Sequence, residues 1–232
     1  MSDITIQGAD GRFGAYFAAP ASGTGPALVV IQEIFGVNQV MRALCDAYAA
    51  DGYFAICPDL FWRIEPGIQL TDGSEAEWKR AFELMTAFLP KFQSGVADLM
   101  AALAYGRSVN GATGKGGCVG YCLGGSLAYA MACASVSDAS VGYYPVQIED
   151  SLDRASAIRQ PAMFHLAEKD SFCPPEAQAR IAAALDPIDA VTLHSYKGAD
   201  HAFARPGGQN YAKAAADLAN SRTADFLKTH LA

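Results

Sequence analysis

Gly117-Cys-Val-Gly-Tyr-Cys-Leu-Gly-Gly125 is the stretch on which the reading of this chain turns. Its first five residues make a short apolar run suited to a buried strand, and a helix of small residues follows from Gly124. Between them, Gly120-Tyr-Cys-Leu-Gly124 fits G-x-S-x-G with sulfur in place of the hydroxyl. Such a turn forces its nucleophile into a strained backbone, so the positions two residues away must lack bulky side chains. Gly120, Gly124 and Gly125 meet that need. The helix that follows aims its N-terminus at Cys122, favouring a thiolate and a developing oxyanion. The alternative is a cysteine buried at a glycine-rich strand end.

Outward from this turn, strands alternate with helices. Pro26-Ala-Leu-Val-Val-Ile31 is apolar and β-branched, as a strand covered on both faces should be. Further strands are predicted over residues 52–57, 139–144, 161–166 and 191–196. Helices are predicted over 40–51, 75–89, 95–107, 175–185 and 211–229, with Pro90 as a breaker. This order implies an α/β fold with a mostly parallel central sheet and helices on both faces. Repeats, low-complexity tracts and charge blocks are absent, so residues 1–232 read as a single domain.

Composition narrows the class. A chain of 232 residues, 51% hydrophobic and 18% charged, can bury a sizeable core without staples. A net charge of −7 argues against nucleic acid, which calls for a basic stripe. No apolar run approaches the ~18 residues of a membrane helix. The N-terminus has neither a basic opening nor an apolar stretch, so no secretory signal is expected. The six cysteines include no CxxC, and Cys118 and Cys122 have no nearby histidine for a zinc site. A reduced, cytoplasmic protein with no metal, cofactor, membrane or nucleic-acid partner is the expectation.

In open α/β sheets chemistry gathers beyond the carboxyl ends of the strands. A nucleophile elbow wants its acid and then its histidine, in that order. His201, in Gly198-Ala-Asp-His-Ala-Phe203, lies in the loop between the last strand and the last helix. His165 and His194 fall within strands, and His230 sits at the end of the chain. The strand over 161–166 leads into Ala167-Glu-Lys-Asp170, which makes Asp170 the candidate acid; an unmatched surface aspartate is the alternative. Asp200 adjoins His201 but is poorly placed to orient its own neighbour. Cys122, Asp170 and His201 together form an ordered Cys-His-Asp set.

At this point five stretches resemble the dienelactone hydrolase (carboxymethylenebutenolidase) family: Gln32-Glu-Ile-Phe-Gly-Val37, Cys57-Pro-Asp-Leu60, Gly120-Tyr-Cys-Leu-Gly-Gly125, Val141-Gly-Tyr-Tyr144 and His201-Ala-Phe-Ala-Arg205. The resemblance implies an α/β-hydrolase fold without a large cap. It also implies a cofactor-free hydrolase of dienelactone-type lactones, acting as a monomer in the breakdown of aromatic compounds. Cys122 would be the nucleophile, His201 the base and Asp170 its orienter. The N–H groups of Leu123 and Ile34 would form the oxyanion hole. Glu33 would take the thiol proton, Arg205 would hold a substrate carboxylate, and Tyr144 would contact substrate.

One departure appears. Family members of the chloroaromatic pathways carry a second arginine where Trp78 stands here. Arg80, two residues on, is turned about 200° around a helix at ~100° per residue, so it should not replace the missing charge. Trp78 would offer an apolar wall instead. A carboxylesterase or thioesterase acting on small neutral esters is therefore the alternative substrate reading. A catalytically silent binding relative is the third.

Overall fold

The computed structural model describes residues 2–232. The chain forms two compact units, the first ending at Gly117 and the second running from Cys118 to Ala232.

In the first unit, β1 (Ser2–Gln7) and β2 (Arg12–Ala18) form an antiparallel hairpin, with Ile6 opposite Phe13. Sequence reading passed over this hairpin. Its signal is the alternation of Ile4 and Ile6 with polar residues, followed by the turn pair Asp10-Gly11. β2 runs antiparallel to β4 (Phe54–Pro58), and β4 runs parallel to β3 (Gly25–Ile31). Neighbouring residues of β4 point to opposite faces. Cys57 faces α1 (Gln39–Ala50), where its thiol hydrogen-bonds with Cys45. Ile56 faces α3 (Phe92–Ser108); a Cβ on Gly106 of that helix would lie 2.7 Å from Ile56 Cδ1 and 2.8 Å from Ala27 Cβ. Helices thus cover both faces, and glycine at 106 lets α3 sit close.

α2 (Glu75–Phe88) starts at the Ser74 cap, whose hydroxyl accepts the Glu77 N–H at 3.2 Å. Pro90 does not leave a gap before α3: Leu89–Lys91 is one tight 3-10 turn that leads straight into it. Asp98 of α3 is a buried carboxylate, and it accepts from Trp62 Nε1 at 2.9 Å and from the Arg63 guanidinium through both oxygens.

β5 (Ala112–Tyr121) starts five residues earlier than the sequence suggested. The stretch before Gly117 is strand as well, and α3 packs closely on it at Gly116. A Cβ on Gly116 would lie 2.7 Å from Leu103 Cδ1.

The second unit continues with α4 (Leu123–Ala134), β6 (Ala139–Tyr143), β7 (Ala162–Ala167), α5 (Pro175–Leu185), β8 (Val191–Tyr196) and α6 (Lys213–Leu231). β6, β7 and β8 are parallel, with Tyr143 opposite His165 and His165 opposite His194. Phe164 turns to the side of α4 and α5 and packs on the Tyr129 ring in a cluster with Ile181 and Leu185. His165, one residue on, turns to α6 and meets Thr223. The strand order is β1-β2-β4-β3-β5-β6-β7-β8, a mostly parallel sheet as expected, with the antiparallel pairs confined to the N-terminal end.

Among the described residues, no helix is long and apolar enough to cross a membrane.

Candidate active site

Three loops of the second unit carry the candidate residues Cys122, Asp170 and His201, each leaving the carboxyl end of a strand. Cys122 follows β5, Asp170 follows β7 and His201 follows β8. Cys122 is the cap of α4 and has φ 56° and ψ −116°, a conformation L-residues rarely take. The glycines around it are required. A Cβ on Gly120 would stand 1.9 Å from the Gly124 carbonyl oxygen, and one on Gly125 would stand 2.7 Å from that of Tyr143. The Cys122 N–H donates to Tyr143 O at 3.1 Å, tying the bend to β6. The Leu123 N–H, first of the helix, has no acceptor among the described residues, as helix geometry dictates for an N-terminal amide.

His201 Nδ1 lies 2.8 Å from Asp170 Oδ2, and the thiol of Cys122 hydrogen-bonds to the same imidazole. All three side chains are buried. Burial pulls the imidazole down, but the charge of Cys122 and the hydrogen bonds from Asp170 and Cys122 outweigh it and push His201 up to about 10. The backbone of His201 is held at both ends. Its N–H donates to Asp200 Oδ1 at 2.7 Å, and its carbonyl accepts from Asn210 Nδ2 at 3.0 Å. Asp200 thus serves the main chain and not the ring.

Rings wall the imidazole. Tyr144 stands edge-on at 5.2 Å and Phe172 at 4.8 Å between centroids. Tyr144 is fully buried, with φ 35°, and Ala202, next to His201, has φ 63°. Three of the five described non-glycine residues with left-handed φ therefore sit at this site, where such strain commonly gathers. Sequence reasoning missed Phe172, Asn210 and the service of Asp200 to the main chain. None of them lies in a motif, and only the folding of the loops brings them to His201.

Arg205 is buried, and its N–H donates to Ala202 O at 3.0 Å. Glu33, Ile34 and Trp78 belong to the first unit. Glu33 and Ile34 follow β3 and are buried. Gln32 fixes that strand end, donating to Glu33 O at 3.2 Å and accepting from Leu60 N–H at 3.1 Å. Trp78 packs edge-on against Phe35 at 5.1 Å and stacks on Phe82 at 5.5 Å, while its Nε1–H donates to Asp72 O. Arg80 is paired with Glu65 and Glu83. A cleft of about 290 Å³ in the same unit, bordered by Tyr16, Arg42 and Asp59, includes none of the sequence-read site residues.

Among the described residues, no group of three or more His, Cys, Asp or Glu side chains could hold a metal ion. The six cysteines are all buried and free.

The sequence profile of the "Dienelactone hydrolase family" matches residues 13–231. A protein of Azospirillum brasilense named "Putative carboxymethylenebutenolidase" is 49% identical, covering 100% of both chains. The "Carboxymethylenebutenolidase" of Pseudomonas sp. (strain P51) is 41% identical over 94% of this chain and 90% of its own. The crystal structure of a "Putative Dienelactone Hydrolase" from Klebsiella pneumoniae subsp. pneumoniae MGH 78578 shares the fold with a TM-score of 0.85 at 24% identity, covering 98% and 97% of the two chains. The chain therefore belongs to the dienelactone hydrolase family, as a carboxylic ester hydrolase of the α/β-hydrolase fold.

Proposed function

We propose that this enzyme opens dienelactone-type enol lactones through a thioester formed on Cys122. The observation that carries the reading is the hydrogen-bonded chain from Asp170 through His201 to a sulfur held on a strained bend. The thiolate attacks the lactone carbonyl, and the Leu123 N–H meets the oxyanion at the N-terminus of α4. Acylation removes the charge from sulfur, and with it much of what holds the proton on His201. The imidazolium passes that proton to the enolate oxygen expelled on ring opening, and the neutral imidazole is then a base able to activate water against the thioester. The ring-opened acyl group retains its leaving oxygen as an enolate, a readily expelled group that suits a cysteine nucleophile.

The family resemblance supports the remaining roles. Glu33 accepts the thiol proton, Ile34 N–H is the second oxyanion donor, Arg205 pairs with a substrate carboxylate, and Tyr144 lines the substrate site. Arg205 would do so through two parallel hydrogen bonds, which its planar fork provides.

A second reading has an observation of its own. The guanidinium of Arg80 is committed to Glu65 and Glu83, and α2 presents the ring of Trp78 where some relatives carry an arginine. That favours small neutral esters or thioesters over carboxylate-bearing lactones. Specificity constants for cis- and trans-dienelactone, their chlorinated forms and p-nitrophenyl acetate separate the two. The lactone reading requires the dienelactones to lead; a uniform preference for neutral esters overturns it. Alkylation of Cys122 by iodoacetamide, blocked by a lactone analogue, tests for a working site. Failure of the reagent to label Cys122 would favour a silent relative.

A further inference from the structure

On the α6 face of the second unit lies a polar chain, buried at its centre and open at its ends, that the mechanism above does not use. Arg222 Nη1 donates to the Tyr196 hydroxyl at 3.2 Å, and that hydroxyl lies 2.7 Å from His165 Nδ1. His165 Nε2 lies 2.9 Å from Thr223 Oγ1, which lies 2.6 Å from the Tyr143 hydroxyl, and Tyr143 donates to Asn220 Oδ1 at 3.0 Å. Six side chains from β6, β7, β8 and α6 are joined end to end.

The ends fix the direction. Asn220 Oδ1 can only accept, so the Tyr143 hydroxyl proton is spent on it and Tyr143 O must accept from Thr223. The Thr223 proton is then spent as well, and its oxygen must accept from His165 Nε2–H. At the other end, Arg222 only donates, leaving the Tyr196 proton for His165 Nδ1. Both ends give the same answer.

We propose that this chain, with His165 as its Nε2–H tautomer, is a positioning device for the His201 imidazole. Two arms reach from it to the site. Tyr143 adjoins Tyr144, whose N–H donates to His165 O at 2.7 Å and whose ring stands against His201. The Tyr196 ring packs on Phe203 at 4.8 Å, Phe203 packs on Tyr144 at 5.6 Å, and Phe203 lies two residues past His201. The strained φ of Tyr144 and Ala202 needs such outside support. The groups facing His165 are Tyr143 from β6, His194 and Tyr196 from β8, and Thr223 and Arg222 from α6. None of them is a carboxylate. Burial first, then His194 and Arg222, hold His165 well below the usual histidine range, in keeping with a ring that carries one proton and passes no charge.

The assignment rests on His201 as the catalytic base, so the test includes that residue. Thr223→Val keeps the shape and cuts the chain; Thr223→Ser keeps the hydroxyl. With p-nitrophenyl acetate, Thr223→Val should lose roughly 10-fold in kcat with KM little changed, as a misplaced base does. It should also shift the pH profile of kcat, and Thr223→Ser should restore both. Nitrogen-15 spectra of the wild type should show His165 protonated at Nε2 and bare at Nδ1. A wild-type kcat and pH profile in Thr223→Val beside an inactive His201→Ala overturns the assignment alone, as does an Nδ1–H tautomer. Turnover surviving in His201→Ala overturns the proposed function and this assignment with it. If Thr223→Val fails to fold, Tyr196→Phe, which deletes one hydroxyl of the same chain, is judged by the same kinetics.

Discussion

Asp170 holds His201 with one carboxylate oxygen and spends the other on its own loop. Oδ2 lies 2.8 Å from His201 Nδ1, while Oδ1 accepts the Phe172 N–H at 2.9 Å. The carboxylate is thereby fixed against rotation, and the Phe172 ring is set beside the imidazole by the same contact.

Asp170→Asn should keep the fold and the Phe172 bond but offer His201 an amide in place of an anion. The amide can donate to Nδ1, which stabilises the wrong tautomer for accepting a proton at Nε2. A fall in kcat on the order of 10³ to 10⁴ is expected, by analogy with the same change in serine hydrolase triads. Steady-state kinetics with p-nitrophenyl acetate checks it. A loss below tenfold would mean that Asp170 does not orient the base.

Cys122→Ala should lower the titration midpoint of His201 from about 10. Burial acts downward on this imidazole, and two of the upward contributions come from sulfur: its charge and its hydrogen bond. Without them, only Asp170 opposes burial. Proton NMR of the His201 ring across pH measures the midpoint directly. A midpoint unchanged in the variant would assign the whole elevation to Asp170 and would remove the sulfur-dependent release of base described above.

Gly120→Ala should damage the elbow. Its Cβ would lie 1.9 Å from Gly124 O and 2.3 Å from Gly124 C, backbone atoms that cannot swing aside as a side chain would. Loss of esterase turnover together with a cost of about 1–3 kcal/mol in unfolding free energy is expected from strain of this kind. Denaturant melts and activity on one preparation check it. By contrast, Gly14→Ala, where the new Cβ meets nothing within 4 Å, should be far milder.

Asp98→Ala should destabilise the first unit by about 1–3 kcal/mol, because it leaves the Arg63 guanidinium with Asp10 alone and takes the buried acceptor from the Trp62 N–H. Unfolding by urea reads the loss. Adding Arg63→Met should recover part of it, since the charge left with only the exposed Asp10 is then gone. No recovery in the double variant would place the cost in packing around Asp98.

Local pattern made much of this legible. Strands over 191–196 and a helix over 175–185 were read to the residue, since apolar period and flanking glycine or proline are sequence properties. The elbow was legible for the same reason: its glycines answer a clash with atoms only a few residues away. The N-terminal hairpin and the early start of β5 were not read. Gly114 and Gly116 look like a turn until Leu103 of α3 is seen lying against Gly116.

By itself, then, the sequence determined the alternation of strands and helices, the sharp bend at Cys122 and the identities of Asp170 and His201 as candidates. Each depends on neighbours close along the chain. It took the folded chain to show that Asp170 reaches His201 across 31 residues, that Phe172 and Tyr144 wall the ring, and that His165 joins Tyr196 to Thr223. Those pairings are set by which strand ends and helix faces meet, and the direction of a hydrogen bond appears only when donor and acceptor are brought together.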